Sequence, residues 1–213
     1  MDIQIESVHK RIKGTTILNN VNLQMKGGMV YGLQGPNGSG KTMLMRLIAG
    51  LIRPSSGRVV VNGWKLGEDR DFPPSMGLLI ENPAFVPHYT GLKNLELLAA
   101  LRSDIDLKQI RSTICDVGLE PDDRRKFSKY SLGMKQRLGI AAAIMEQPDL
   151  IILDEPTNAL DDTGVAQICK LICRERERGA LIILTCHDAD ILERLADEVF
   201  VVNEGKVMKK VAR

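Results

Sequence analysis

An α/β fold is what this sequence predicts, and three observations predict it. Two short runs made wholly of apolar residues, Leu150-Ile151-Ile152-Leu153 and Leu181-Ile182-Ile183-Leu184, have the length and texture of parallel strands buried on both faces. A third apolar run, Met29-Val30-Tyr31-Gly32-Leu33, is followed by Gly35-Pro36-Asn37-Gly38-Ser39-Gly40-Lys41-Thr42 and then by a segment of helical spacing. Strand, glycine-rich loop and helix form the setting of a phosphate-binding loop. Charged groups and one histidine also stand just past several apolar runs, where a parallel sheet delivers its functional side chains into one crevice.

The elements follow in order. Ile3, Ile5 and Val8, then Val21, Leu23 and Met25, alternate as two strands facing one core, with Gly14, Thr15 and Thr16 marking the turn. After the glycine-rich loop, Met43, Leu44, Leu47, Ile48 and Leu51 give a helix one apolar stripe, and Gly50 stops it. Pro54-Ser55-Ser56-Gly57 breaks the chain, and Arg58-Val59-Val60-Val61 resumes as a strand ending at Asn62-Gly63. Residues 76–80 form another strand, ended by Glu81-Asn82-Pro83. From residue 92 to about 118 the apolar spacing turns helical: Leu95, Leu98 and Leu101, then Ile110, Ile114 and Val117, with Asp106 as an N-cap. Ser131-Leu132-Gly133-Met134-Lys135-Gln136-Arg137 opens an alanine-rich helix. A helix over 189–195 and a hairpin around Glu204-Gly205 close the chain. The expected organisation is one nucleotide-binding domain over 1–213. Residues 1–84 and 146–213 make an α/β body, and residues 85–145 make an inserted helical lobe.

The residue types explain the chemistry. Successive backbone N–H groups can converge on a polyphosphate if the loop curls into a nest, and Gly35, Gly38 and Gly40 permit that curl. The helix beginning near Lys41 adds its positive N-terminal dipole. Lys41 supplies a charge for the β- and γ-phosphates, and the Thr42 hydroxyl is placed to ligate Mg²⁺. Asp154 and Glu155 end one apolar strand: the first suits the metal, the second can polarise an attacking water. His187, past the next strand, is positioned to contact a γ-phosphate.

Composition excludes several classes. With 29 basic and 27 acidic residues the net charge is +2, so no global field argues for nucleic acid or an anionic membrane. The short basic runs Arg124-Arg125-Lys126 and Lys209-Lys210 read as solvated surface. Cys115, Cys169, Cys173 and Cys186 form no CxxC pair and read as free thiols of a reducing compartment. There is no N-terminal signal pattern, and the longest apolar runs are far short of a membrane span. Work at a membrane therefore calls for a second chain that crosses it.

Five ordered motifs carry a resemblance over essentially the whole chain. They are the loop at 35–42, the helix start at Ser131-Leu132-Gly133, the run 150–157 containing Asp154 and Glu155, the segment Asn158-Ala159-Leu160-Asp161, and His187. In this order they resemble the ATP-binding cassette (ABC) transporter ATPases. The resemblance implies a P-loop NTPase (RecA-like) core with an N-terminal antiparallel β subdomain and an inserted α-helical signature subdomain. It implies Mg-dependent ATP hydrolysis in a head-to-tail dimer, of identical or different cassettes. Each ATP would lie between one protomer's phosphate loop and Ser131 and Gly133 of the other. It implies a permease partner, a cytoplasmic place on the inner face of the membrane, and no nucleic acid. The permease would dock over residues 82–95, including Phe85, Val86, His88 and Tyr89.

Three departures stand out. The signature, usually Leu-Ser-Gly-Gly-Gln, here is Tyr130-Ser131-Leu132-Gly133-Met134. Glu81 stands where the family usually has a Gln, which adds a carboxylate to the expected metal set of Thr42 and Asp154. Ile12 stands where an aromatic usually stacks on adenine. The first two resemble the subgroup that exports, or confers immunity to, bacitracin-type and lantibiotic peptides. The competing class is a soluble cassette ATPase acting on ribosomes or DNA, whose usual second cassette or long coiled coils this chain lacks. A kinase or GTPase with the same loop explains neither the Ser131 helix nor the Asp154-Glu155 pair.

Overall fold

The computed structural model describes residues 1–101 and 105–210. Residues 102–104 of the lobe and 211–213 of the body lie outside them. Two sheets and the helices between them organise the chain. The larger sheet has six strands in the order β10-β9-β3-β8-β7-β6. These are β3 (Val30–Gln34), β6 (Met76–Leu79), β7 (Leu150–Leu153), β8 (Leu181–Thr185), β9 (Glu198–Asn203) and β10 (Lys206–Lys209). All neighbours run parallel except the β9–β10 hairpin.

The all-apolar runs make sense on this sheet, because period-two alternation sends each residue into one of two cores. Ile151, Leu153, Ile182 and Leu184 enter one, and Leu150, Ile152, Leu181 and Ile183 enter the other. The second core is closed by α1 (Lys41–Ile48) and by the smaller antiparallel sheet. That sheet has the order β2-β1-β4-β5, from β1 (Asp2–Ile12), β2 (Thr15–Lys26), β4 (Ser56–Val61) and β5 (Trp64–Lys65). Ile3 pairs with Met25 on one side and Val61 on the other, so the alternating residues of three strands share one face.

The first core continues into the helical lobe. It is built from α2 (Gly91–Ala99), α3 (Leu107–Asp116) and α4 (Leu132–Ile144), with α5 (Asp162–Glu177) and α6 (Ala189–Leu195) on the body side. α4 also lies directly against β6 and β7. Side chains cap the lobe helices: Asp106, as the sequence predicts, accepts from Gln109 N–H, and Ser131 accepts from Met134 N–H. Such caps contribute about 1 kcal/mol each.

Two stripes differ from expectation. Leu95 is fully buried, but Leu98 is 37% and Leu101 82% exposed. The buried face of α2 is instead Gly91, Asn94, Leu95 and Ala99. Asn94 belongs inside because its amide bridges Val86 and Thr90 by three hydrogen bonds, so polarity hid the true face. Leu51 is likewise exposed, because α1 ends at Ile48 and Gly50 turns the chain with φ 75°. Phe85, half-buried, packs edge-on against Phe127 at 5.2 Å between ring centres, on the edge of the lobe's core, whereas Tyr89 remains exposed. The basic runs are solvated as expected; Arg125 pairs with Asp123 and Lys209 with Glu198.

Candidate functional site

The strand ends of β3, β6, β7 and β8 lie along one edge of the six-stranded sheet, and a cavity of about 680 Å³ opens there. Asn37, Gly38, Gly40, Lys41, Thr42, Glu81, Asp154, Glu155 and His187 all line it. The sequence-predicted groups of the body are thus brought together by strand order alone.

The loop after β3 is curled by left-handed glycines, with φ 78° at Gly38 and 113° at Gly40; Gly35 has φ 154°. A Cβ at Gly35 would also stand 2.1 Å from the Val202 carbonyl oxygen, so glycine is required for space as well. The Pro36 carbonyl accepts from Ser39 N–H at 3.2 Å. Lys41 Nζ donates back to the loop carbonyls of Gly35 (2.7 Å) and Pro36 (3.0 Å). No side chain caps α1, and the buried Ser39 hydroxyl is without a hydrogen-bond partner among the described residues. A buried polar group without a partner is costly. An uncapped helix start, an orphan hydroxyl and an ammonium bonded only to carbonyls together fit a polyphosphate.

Opposite the loop stands a compact polar network. Thr42 Oγ1 donates to Asp154 Oδ2 at 2.9 Å, and Thr185 Oγ1 donates to Asp154 Oδ1 at 2.7 Å. Thr185 Oγ1 in turn accepts from Glu155 N–H at 2.8 Å. The Glu155 carbonyl accepts from Gln136 Nε2 at 2.9 Å. Its carboxylate accepts from His187 N–H at 2.8 Å, and the imidazole Nε2 lies 3.6 Å from the other carboxylate oxygen. Glu155 holds φ 53°, an uncommon conformation for a non-glycine residue, and these backbone and side-chain bonds maintain it. The oxygen donors Thr42 Oγ1 and Asp154 are of the kind Mg²⁺ prefers. Among the described residues no group of three or more His, Cys, Asp or Glu could hold a metal ion.

Other predicted residues take different places. Glu81 lines the cavity with φ 63°, but its 65% exposed side chain is bonded to Arg46 Nη2 of α1 at 2.5 Å. Ile12 sits 40% exposed at the end of β1 and does not line the cavity, whereas Ile17 of β2 does. Ser131 and Gly133 do not line it either, although the intervening Leu132 does. A Cβ on Gly133 would stand 2.6 Å from the Ala159 carbonyl oxygen, so that glycine admits a close approach within its own chain.

Sequence reasoning passed over Thr185, Gln136 and Arg46. Thr185 carried a usable signal, being the lone polar residue completing an apolar strand, and it is fully buried. Gln136 and Arg46 are visible only once helix faces are fixed in space. Burial pushes the Cys169 thiol up from its ordinary pKa, in keeping with a packed, unreactive cysteine.

Comparison with known proteins gives a consistent set. A family model described as "ABC transporter" matches residues 18–158. An uncharacterized ABC transporter ATP-binding protein, YybJ of Bacillus subtilis (strain 168), is 44% identical over 96% of this chain and 94% of its own. The bacitracin transport ATP-binding protein BcrA of Enterococcus faecalis is 39% identical over 98% of this chain and 68% of its own. The lantibiotic transport ATP-binding protein SrtF of Streptococcus pyogenes is 35% identical, with shares of 97% and 89%. Among solved structures, a dimeric post-hydrolysis state of an ATP-binding cassette bound to ADP and Pi superimposes with a TM-score of 0.87. It is 26% identical and covers 99% of both chains.

Proposed function

This chain belongs to the ABC transporter family of ATP-binding proteins, and from that premise we propose how its site works and what it drives. The activity is ATP hydrolysis by a transporter's ATP-binding subunit. The polyphosphate takes the place of the loop carbonyls at Lys41 and gathers the N–H groups of residues 38–42. Thr42 and Asp154, with Glu81 as a further carboxylate within the same cavity, would hold Mg²⁺, which supplies charge neutralisation on the phosphate oxygens when bound.

Glu155 takes a proton from the water that attacks the γ-phosphorus, the bond to the bridging oxygen breaks, and ADP and phosphate leave. His187 steadies Glu155 through its N–H and presents its imidazole to the γ-phosphate. Thr185 holds both carboxylate residues in register, through the side chain of Asp154 and the backbone of Glu155. The observation that carries this reading is that shared hydroxyl beside the phosphate loop. Gly133 and Ser131 serve the nucleotide of a second cassette in a head-to-tail dimer, and the relatives' dimeric state supports that arrangement. The body (1–84 and 146–213) holds nucleotide and the lobe (85–145) reaches across.

No helix among the described residues is long and apolar enough to cross a membrane. A separate permease on the inner face of the membrane is the partner, docked near residues 82–95 and with Tyr89 rather than Phe85 as its exposed aromatic. The cargo class is peptide antibiotics, as the names of two relatives suggest. Glu155→Gln tests the core of this reading. It should bind ATP normally, lose turnover by about a hundred-fold or more, and accumulate an ATP-bound dimer on gel filtration. Wild-type turnover in the purified variant would overturn it.

A further inference from the structure

One face of α4 lies on the loop that carries Glu155. Residues 133, 136 and 137 are neighbours across a helical turn, and each meets the loop at a different point. Gly133 lets the Ala159 carbonyl approach, Gln136 holds the Glu155 carbonyl at 2.9 Å, and Arg137 Nη2 donates to Asp161 Oδ1 at 3.2 Å. Arg137 also reaches the lobe and α5. Its Nη1 donates to the Val117 carbonyl at 3.0 Å and to Gln167 Oε1 at 3.2 Å. Val117 is the C-cap of α3, whose dipole favours a cation. Gln167 on α5 donates to the Asp116 carbonyl of α3 at 3.1 Å.

The slot is shaped for a guanidinium. A Cβ on Gly118 would fall 2.2 Å from Nη1, and one on Gly164 would fall 2.3 Å from Nη2 and 2.8 Å from Asp161 Oδ1. Gly118 has φ 75°, so its backbone asks for glycine anyway. Gly164 lies within α5, where helical backbone makes no such demand, and space is its reason. Arg137, with its side chain 15% exposed, is therefore a planar fork joining the end of α3, the first turns of α5 and the loop at 155–161. A lysine ammonium could serve only part of this set, since it lacks the fixed fork.

Resting on the assignment of Glu155 as the base, we propose that Arg137 is a positioning residue for turnover, acting through the 155–161 loop. It keeps that loop in register with the start of α4, so that the carboxylate and the helix start at Ser131 move as one piece. It touches no nucleotide, and its loss changes the rate rather than the binding of ATP.

The test is to purify Arg137→Met, Arg137→Lys, Gly164→Ala and the Gly164→Ala/Arg137→Met double variant. Binding is measured with a fluorescent N-methylanthraniloyl ATP, turnover by phosphate release with Mg²⁺, and stability by Tm. The expected result for Arg137→Met is a Kd within about two-fold of wild type and kcat lower by about ten-fold or more, since small misplacements near a reacting centre are amplified in the rate. Arg137→Lys should recover part of the rate. Gly164→Ala should lower kcat alone, and add little in the Met background, where the guanidinium is gone and only the Asp161 carboxylate must shift. Unchanged kcat in Arg137→Met and Gly164→Ala overturns the proposal. So does a parallel loss of Kd, kcat and Tm, which marks a merely structural residue. Glu155→Gln is run alongside: wild-type turnover there fails the base assignment, whereas a dead Glu155→Gln beside an unaffected Arg137→Met fails the positioning role alone.

Discussion

The α/β body and the helical lobe are held together by different means. In the body, β3, β7 and β8 are apolar on both faces, and their order delivers the phosphate loop, Asp154, Glu155 and His187 to one edge. In the lobe, helices of 9, 10 and 13 residues share a core with the sheet but depend on polar side chains for their register. Asn94 ties α2 to the chain before it, and Gln109 Nε2 donates to the Met145 carbonyl at the end of α4. Tyr130 accepts from Gly91 N–H, and burial raises its hydroxyl pKa above the ordinary value. Sites on strand ends are fixed by topology. Sites on short helices are fixed by individual hydrogen bonds, and can move with them.

Each prediction tests that contrast. The largest effect is expected for Leu95→Ala, which removes a fully buried side chain from α2, the helix packed on α3 and α4. It should cost about 2–5 kcal/mol of unfolding free energy, read by denaturant titration, whereas Leu101→Ala should stay within about 0.5 kcal/mol. Equal losses would mean that the lobe buries the stripe expected from spacing after all. Lys41→Ala comes next. It removes a charge-assisted donor worth roughly 1.5–3 kcal/mol, so ATP affinity measured by equilibrium binding should fall about ten- to a hundred-fold with Tm unchanged.

Glu81 sits where body and lobe join, and its pairing with Arg46 gives a smaller effect. Breaking it in Arg46→Ala should free the carboxylate and lower the Mg²⁺ concentration for half-maximal ATPase by a few-fold. Glu81→Gln should raise it. Curves superimposable on wild type in both would leave Glu81 a turn residue. The smallest effect concerns the base. An aromatic ring adds on the order of 1 kcal/mol through stacking, so Ile12→Tyr should tighten ATP several-fold if that position faces adenine. Unchanged affinity there, together with weaker binding in Ile17→Ala, would assign the base contact to Ile17.

Most of the body was legible because its signals are local. Four-residue apolar runs, a glycine loop and the residue just past a strand can each be read without knowing what lies opposite. The lobe was less so. Leu98 and Leu101 match the helical period as well as Leu95 does, and only the bonding of Asn94 decides which face turns inward. Ser131 was legible as a helix start, but the Arg137 slot was not, since it needs Gly118 and Gly164 from two other segments. Arg46 escaped for a similar reason, because its partner Glu81 is 35 residues away in sequence.

The central claim is that body and lobe supply the two halves of one ATP site on different copies of the chain, and complementation tests it most directly. A chain carrying Lys41→Ala lacks the cradle, and a chain carrying Ser131→Arg lacks an approachable helix start. Each variant alone should hydrolyse ATP at background rates. Mixed in equal amounts, they form dimers with one intact composite site, and phosphate release should rise well above the sum of the separate rates. A mixture no faster than that sum, with dimers demonstrated by cross-linking, would contradict the claim.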